Sequence, residues 1–315
     1  MAGWGEFRNL VRHLDLKFAP MLDPDGSELQ IRRTRRFDWT NLGLRVASAV
    51  VLVPAVLGAV MIEANWPYLV LISISVALLA IEWGGMSAPR APLRVAAAVT
   101  AAVLAALFLT HLQHPVGAWA AMVVGSAAAA LVARGVAERP ADAAFGVIYL
   151  APAAICLAWL RLTNQGQWWT LMLFLVTWAA DIGAFAVGST LKGPKLWPRF
   201  SPNKTWSGFF GGLACASLTG VLLAAPSALK ISLPGFVMPA FQLNLWAAAL
   251  IGLMVGLATM AGDLWESALK RRFGVKDSGD LIPGHGGLLD RVDGLMFAVV
   301  VMAMARLANH WGWGH

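Results

Sequence analysis

The chain has 315 residues, of which 58% are apolar and only 13% are charged. That charged share is about half of what soluble domains carry, so the composition excludes a soluble globular protein and a disordered chain. The net charge of +7 does not indicate nucleic-acid binding, because basic residues also anchor the cytoplasmic loops of membrane proteins. The class that remains is a polytopic membrane protein.

Nine apolar runs are long enough to cross the hydrocarbon core as helices, which takes about 20 residues each. They predict membrane-spanning helices at 43–62, 66–85, 95–112, 116–134, 143–161, 168–188, 207–226, 243–262 and 292–311. We therefore predict an all-α fold, an integral membrane bundle of about nine transmembrane helices. Several runs are rich in Ala and Gly, which lets helices approach closely and allows a homodimer without requiring one.

The basic residues predict how the bundle is oriented. With a cytoplasmic N-terminus, every Lys and Arg except Arg161, Lys230 and Arg306 falls on the cytoplasmic side, as the positive-inside rule demands. The chain then divides into a polar, basic cytoplasmic segment at 1–42, transmembrane helices at 43–165, and a transmembrane half at 166–315 that carries the candidate catalytic residues.

Acidic residues of the second half gather at the predicted cytoplasmic membrane face. Asp181 is the deepest, roughly 10 Å inside the end of its helix. A carboxylate at that depth is costly, so Asp181 either pairs with a loop lysine or contacts a ligand. Residues 43–165 contain few polar groups at membrane depth. This favours an enzyme acting on a lipid headgroup over a transporter, which would place polar groups along several span centres.

Two helix ends carry carboxylates at helical spacing. Asp263, Glu266 and Lys270 share one face, which fits either a solvated turn with a Glu266–Lys270 ion pair or part of a site. Asp290 and Asp293 share a face at the start of the last span. Two carboxylates from each helix end would suit a hard divalent cation such as Mg2+, which prefers oxygen ligands.

Two polar loops complement these acids. The loop at 276–287 contains Lys276, Asp277 and His285 among glycines, whose backbone N–H groups can cradle phosphate. The loop at 189–206 ends in Ser201-Pro202-Asn203-Lys204-Thr205, where Ser201 or Thr205 is expected to cap a helix beginning near residue 207. Carboxylates for a metal, cations such as Lys270 and Arg291, and a glycine-rich loop are typical of phosphoryl or nucleotidyl transfer.

Three blocks of sequence resemble the phosphatidate cytidylyltransferase (CDP-diacylglycerol synthase) family. The main block reads Ser267-Ala268-Leu269-Lys270-Arg271, four residues, Lys276-Asp277, and then Pro283-Gly284-His285-Gly286-Gly287-Leu288-Leu289-Asp290-Arg291-Val292-Asp293. The other two are Asp181-Ile182-Gly183-Ala184-Phe185 and Ser201-Pro202-Asn203-Lys204-Thr205-Trp206. Asn203, Ser207 and Gly294 depart from the family pattern, which affects details of phosphate contact.

The resemblance implies that CTP and phosphatidate give CDP-diacylglycerol and pyrophosphate, in phospholipid biosynthesis. On this hypothesis Asp263 and Asp290 hold Mg2+, Asp293 is a further ligand, and a second cation is plausible. Phosphates are held by a set of hydroxyl and basic residues: Ser201, Lys204, Lys270 and Arg291. Glu266 and Lys276 orient the site, and Thr205, Asp277, His285 and Asp181 complete the expected substrate contacts.

Alternative functions stay open at this point. An archaeol cytidylyltransferase or a polyprenol kinase would also use CTP on a lipid, and a transporter of an anionic lipid is the rival from another class. We expect CTP, phosphatidate and membrane lipids as partners, and no nucleic acid. We expect the chain in a bacterial inner membrane, with its active site facing the cytoplasm.

Overall fold

The structure, a computed structural model, describes residues 39–137, 139–198, 201–229, 241, 243–279, 281 and 286–312, with side chains from residue 50 to residue 309. His285 and most of the predicted segment 1–42 therefore lie outside the described residues.

Nine helices and one β-hairpin make up the described part of the chain. The helices are α1 (Trp39–Met61), α2 (Trp66–Ser87), α3 (Pro92–His111), α4 (Pro115–Val132), α5 (Pro140–Leu162), α6 (Gly166–Leu191), α7 (Trp206–Ala228), α8 (Leu245–Arg272) and α9 (Leu289–Gly312). Strands β1 (Lys195–Trp197) and β2 (Ser201–Thr205) lie between α6 and α7.

The helices confirm the predicted all-α membrane bundle. Among the described residues, α2 to α9 are each long and apolar enough to cross a membrane, and α1 adds a shorter apolar stretch at Val50–Met61. The predicted bounds lie within four residues of the observed ones, except that α8 continues ten residues beyond the predicted end at 262. The extension contains Asp263, Glu266 and Lys270, whose spacing predicted a helix. It therefore continues the helix beyond the apolar span as a polar segment.

Small residues set how closely the helices pack. A Cβ atom on Gly220 of α7 would lie 2.4 Å from the carbonyl oxygen of Ala248 in α8, and one on Gly252 would lie 2.5 Å from that of Ala216. Only glycine fits at these two crossings, because a real Cβ does not approach backbone so closely. This confirms the prediction that small residues allow close helix contacts.

The hairpin is a departure from the sequence prediction, which treated 189–206 as loop. Lys195 pairs with Thr205 and Trp197 with Ser201 in antiparallel register. Pro198 and Pro202 obscured the strands, because proline within a run usually argues against one. Since the hairpin directly precedes α7, it fixes where that helix begins.

Two opposite ends of the bundle carry different polar contacts. The hairpin face, defined by Glu82 of α2, the hairpin and Lys270 of α8, gathers the acids and their partners described below. At the other end, the buried guanidinium of Arg161 donates to Ile62 O (2.6 Å) and Asn65 Oδ1 (2.9 Å). Among the described residues, the predicted site residues therefore belong to the hairpin face, away from Arg161.

Candidate active site

A cavity of about 460 Å³ opens between α6, α7, α8 and the hairpin; we call it the hairpin cavity. Asp181, Lys204, Thr205 and Asp263 contribute to its lining, together with apolar side chains such as Phe209. The Lys204 ammonium donates to Asp263 Oδ2 at 2.7 Å. The cavity has the size usual for small-molecule sites, and the lysine gives it a cation suited to an anionic group.

Thr205 confirms the predicted helix cap. Its hydroxyl accepts a hydrogen bond from the backbone N–H of Gly208 at 3.2 Å, which satisfies one of the free donors at the start of α7. Ser201 lies earlier in β2 and is half-buried. The first turn of α7 therefore borders the hairpin cavity with its positive dipole end, which favours negative charge.

A second cavity, of about 380 Å³, lies between α1, α6 and α9; we call it the α9 cavity. Its walls are largely apolar and include Leu52 and Val53 of α1, both exposed at the surface of the bundle. Its charged lining residues are Asp181, Arg291 and Asp293. Because Asp181 lines both cavities, they lie on either side of one carboxylate.

The crossing of α8 and α9 brings Asp263 and Asp293 together. A Cβ on Gly262 would lie 2.5 Å from the Asp293 carbonyl oxygen, and one on Gly294 would lie 2.8 Å from Asp263 Oδ1. The absence of side chains at these two glycines lets the helix backbones approach. Gly294, which departs from the expected serine, thus leaves room for the Asp263 carboxylate.

Lys270 bridges two carboxylates on neighbouring helices. Its ammonium lies 2.8 Å from Glu266 Oε2 and 2.6 Å from Asp290 Oδ1. Asp290 Oδ2 also accepts from the backbone N–H groups of Ser278 (3.2 Å) and Gly287 (3.3 Å). The Glu266–Lys270 pair considered from the sequence is present, and it is one half of a bridge that ties α8, α9 and the glycine-rich loop together.

The structure therefore divides the predicted site residues into groups. Lys204, Thr205 and Asp263 border the hairpin cavity, and Arg291 and Asp293 border the α9 cavity. Asp181 borders both cavities. Lys270, Glu266 and Asp290 form the bridge, and Lys276 and Asp277 are exposed in the loop.

The carboxylates of the site supply oxygen atoms of the kind that divalent cations bind. Among the residues with described side chains, no three His, Cys, Asp or Glu side chains form a ready-made metal site. The donor chemistry nevertheless fits, because Asp263 and Asp293 are neighbours and supply the hard oxygen ligands that Mg2+ prefers. Glu266 Oε1 is buried and, within the described part, has no hydrogen-bond partner. Asp290 has both oxygens engaged, so its assignment as a metal ligand stays a prediction.

Two acids in the first half were missed by the sequence reasoning. Glu82 of α2 is 4% exposed and accepts from Leu288 N and Leu289 N, both at 2.7 Å. Asp142 of α5 pairs with Arg272 at the end of α8. A single Glu inside the apolar run around residue 82 was the one available signal, because a carboxylate in such a run requires a partner.

Comparison with known proteins identifies the family to which the chain is similar. The model of the cytidylyltransferase family matches residues 43–308. A phosphatidate cytidylyltransferase from Brucella suis biovar 1 is 44% identical over 160 residues, covering 50% of this chain and 54% of that protein. One from Staphylococcus haemolyticus is 40% identical over 162 residues, covering 51% and 58%. The matched stretch thus covers a little more than half the length of each of these relatives.

Proposed function

The chain belongs to the cytidylyltransferase family, and we propose that it transfers the cytidylyl group of CTP to phosphatidate, giving CDP-diacylglycerol and pyrophosphate for phospholipid biosynthesis. The observation that carries the proposal is the pair of cavities that meet at Asp181, one with a lysine beside a helix N-terminus and one with apolar walls. A reaction between a water-soluble nucleotide and a membrane lipid requires two such openings.

The proposed reaction does not require a strong general base. A phosphate oxygen of phosphatidate forms a bond to the α-phosphorus of CTP, the bond from that phosphorus to the bridging oxygen breaks, and pyrophosphate leaves with the electron pair. The nucleophile is already an anion at neutral pH. Catalysis therefore consists mainly of placing the two phosphates in line and neutralising their charge.

The nucleotide is placed in the hairpin cavity. Lys204 would exchange its ion pair with Asp263 for a phosphate oxygen, since charge-assisted bonds to phosphate are among the stronger contacts proteins make. The N-terminal end of α7, which Thr205 caps, adds its dipole. Ser201 and Lys276 stay proposed phosphate contacts, and Asp277 and His285 stay proposed substrate contacts.

The lipid is placed in the α9 cavity. Val50 and Val51 of α1 are 66% and 68% exposed beside Leu52, so acyl chains entering from the bilayer would meet apolar surface. Arg291 borders this cavity and is suited to bind the lipid phosphate with its planar pair of donors. Asp181, shared by both cavities, would lie where the two substrates meet.

A divalent cation completes the proposal. The residues best suited to hold Mg2+ are Asp263 and Asp293. Glu266 follows Asp263 by one helical turn of α8 and has an oxygen without a hydrogen-bond partner in the described part of the chain. Asp290 is the other candidate that the sequence predicts. When bound, the cation supplies positive charge to the phosphate oxygens. Lys270 keeps Glu266 and Asp290 in fixed positions, and it neutralises part of their charge.

The bundle is an integral membrane protein, and we propose that its hairpin face is cytoplasmic in a bacterial inner membrane. Lys204, Lys270 and Arg291 all lie at this face, which agrees with the positive-inside rule. CTP and pyrophosphate would then exchange directly with the cytoplasm.

The test is a turnover assay with the purified protein in detergent micelles containing phosphatidate. CTP labelled at the α-phosphate is compared with CTP labelled at the γ-phosphate, each with Mg2+ and with EDTA. We expect α-label, but no γ-label, to enter the organic phase, only when metal and phosphatidate are both present.

Other outcomes point to the remaining candidates. Transfer of γ-label to a lipid alcohol would replace the proposal with a lipid kinase. No transfer in micelles, together with saturable lipid flux in proteoliposomes, would replace it with a transporter. Turnover that persists in EDTA would remove the cation from the mechanism.

A further inference from the structure

Glu82 lies at the end of α2 that belongs to the hairpin face, and the proposed chemistry does not use it. Its carboxylate is buried, and both oxygens accept hydrogen bonds from distant residues. Oε1 accepts from Leu288 N and Oε2 from Leu289 N, each at 2.7 Å, and Ser278 Oγ donates to Oε2 at 3.3 Å. These donors lie in the glycine-rich loop and at the start of α9.

The Glu82 carboxylate satisfies backbone N–H groups at the start of α9. The first N–H groups of a helix have no partner within the helix. The position just before α9, where a local cap would lie, is held by Leu288, whose apolar side chain offers no acceptor. Glu82 supplies the acceptors from another helix, and its negative charge also suits the positive end of the α9 dipole. It therefore acts as a cap that is distant in sequence.

The loop is shaped around the Glu82 side chain. A Cβ on Gly279 would lie 3.1 Å from Glu82 Cγ and Oε1, and one on Gly287 would lie 3.0 Å from Glu82 Oε1 and 1.9 Å from Ser278 Oγ. A side chain at either position would thus crowd the Glu82 carboxylate, and at Gly287 it would also clash with the Ser278 hydroxyl. This observation is independent of the hydrogen bonds.

The helix that carries Glu82 is firmly held. The next residue, Trp83, is fully buried and donates from its indole nitrogen to Asp142 O at 2.9 Å. Its ring also packs edge-on against Phe273, just after α8, at 5.6 Å between centroids. Glu82 therefore projects from a point fixed to α5 and to the end of α8.

We propose that Glu82 is a positioning residue that holds the first turn of α9, and with it Asp290 and Asp293, in the geometry required for transfer. Two carboxylates then bind this region: Glu82 through Leu288 and Leu289, and Asp290 through Ser278 and Gly287. The catalytic effect rests on the proposed function, whereas the structural effect on the loop does not.

The experiment compares Glu82→Ala and Glu82→Gln with Glu63→Gln, a matched control at an exposed glutamate of the first half. Hydrogen–deuterium exchange is followed in peptides from 286–292 and, as internal references, from α3 and α7. Initial rates are measured against CTP concentration. Both measurements use the full chain in detergent.

We expect Glu82→Ala to lower kcat by about tenfold to a hundredfold, the range for substitutions that support a site from outside it. The KM for CTP should change less, because Glu82 does not line the hairpin cavity. Exchange should rise in 286–292 and stay unchanged in α3 and α7. Glu82→Gln, which keeps one acceptor oxygen, should lie between Glu82→Ala and the wild type.

Each contrary result is informative. Unchanged exchange at 286–292 in Glu82→Ala would overturn the proposal. Increased exchange throughout the bundle would also overturn it, because Glu82 would then stabilise the whole protein rather than this loop. Faster loop exchange with wild-type kcat would also overturn it. If the wild type does not turn over CTP, the proposed function fails, and the exchange data alone decide whether Glu82 holds the loop.

Discussion

Lys270 offers the sharpest test of the site's electrostatics, because one ammonium serves two carboxylates. Glu266 is 1% exposed and the Asp290 side chain 13%. We consider Lys270→Met, which keeps most of the apolar length of the side chain and removes its charge. The variant leaves two carboxylates near each other in a protein interior without their shared cation.

The expected cost follows from that arrangement. Removing one partner of a buried ion pair costs about 3–5 kcal/mol, since the remaining charge stays buried and unpaired. Lys270→Met should therefore lower the free energy of unfolding by about 3–5 kcal/mol. Adding Glu266→Gln removes one of the two unpaired charges, so the double variant should recover about 1–3 kcal/mol of that loss, a coupling typical of residues in contact.

The assay is unfolding in detergent, followed by tryptophan fluorescence, for the single and double variants. Arg271→Met is the control, because Arg271 is the neighbouring exposed residue and its described hydrogen bond is a 3.3 Å contact to Val275 O. It should change stability by less than about 0.5 kcal/mol. The reasoning is refuted if Lys270→Met is as stable as Arg271→Met, or if Glu266→Gln is equally destabilising with and without Lys270.

Three further predictions concern separate parts of the site. Asp290→Asn should lower kcat by more than about tenfold while the protein still inserts and purifies, because the amide cannot accept from the loop and from Lys270 together; near-normal activity would remove Asp290 from the site. Lys204→Met should raise the KM for CTP by about tenfold or more, given about 1.5–3 kcal/mol for a charged hydrogen bond, whereas exposed Lys195→Met should not. Thr205→Ala should lower the free energy of unfolding by about 1 kcal/mol, measured by thermal unfolding. Thr205→Ser keeps the capping hydroxyl and should lose much less stability; equal losses in both variants would contradict the capping role.

Much of the fold could be predicted from hydropathy, for a physical reason. Lipid requires each crossing segment to satisfy its own backbone hydrogen bonds, so apolar length translates directly into helices. The Thr205 cap and the Glu266–Lys270 pair were also predictable, because both depend on residues within four positions of one another. The extension of α8 to Arg272 agrees with the spacing of its charged residues.

The rest depended on contacts between distant parts of the chain. Lys204 pairs with Asp263, and Glu82 with Leu288 and Leu289, although many residues separate each set. No local pattern encodes such pairs, since they arise from which helices pack together. The hairpin was missed for a different reason: Pro202 lies within β2 and Pro198 directly follows β1, and proline usually argues against a strand.

The buried acids of the first half also bear on how the protein is made. Helices α2 and α5 are synthesised long before α8 and α9, and chains fold from the N-terminus during synthesis. Until those last helices arrive, Glu82 lacks Leu288 and Leu289, and Asp142 lacks Arg272. A chain that ended before α8 would leave both carboxylates without these partners at the edge of the bilayer, where charged groups are costly. Synthesis of α8 therefore supplies the partner of Asp142, and the start of α9 supplies the donors for Glu82, so we expect a product that lacks both helices to be less stable than the full chain.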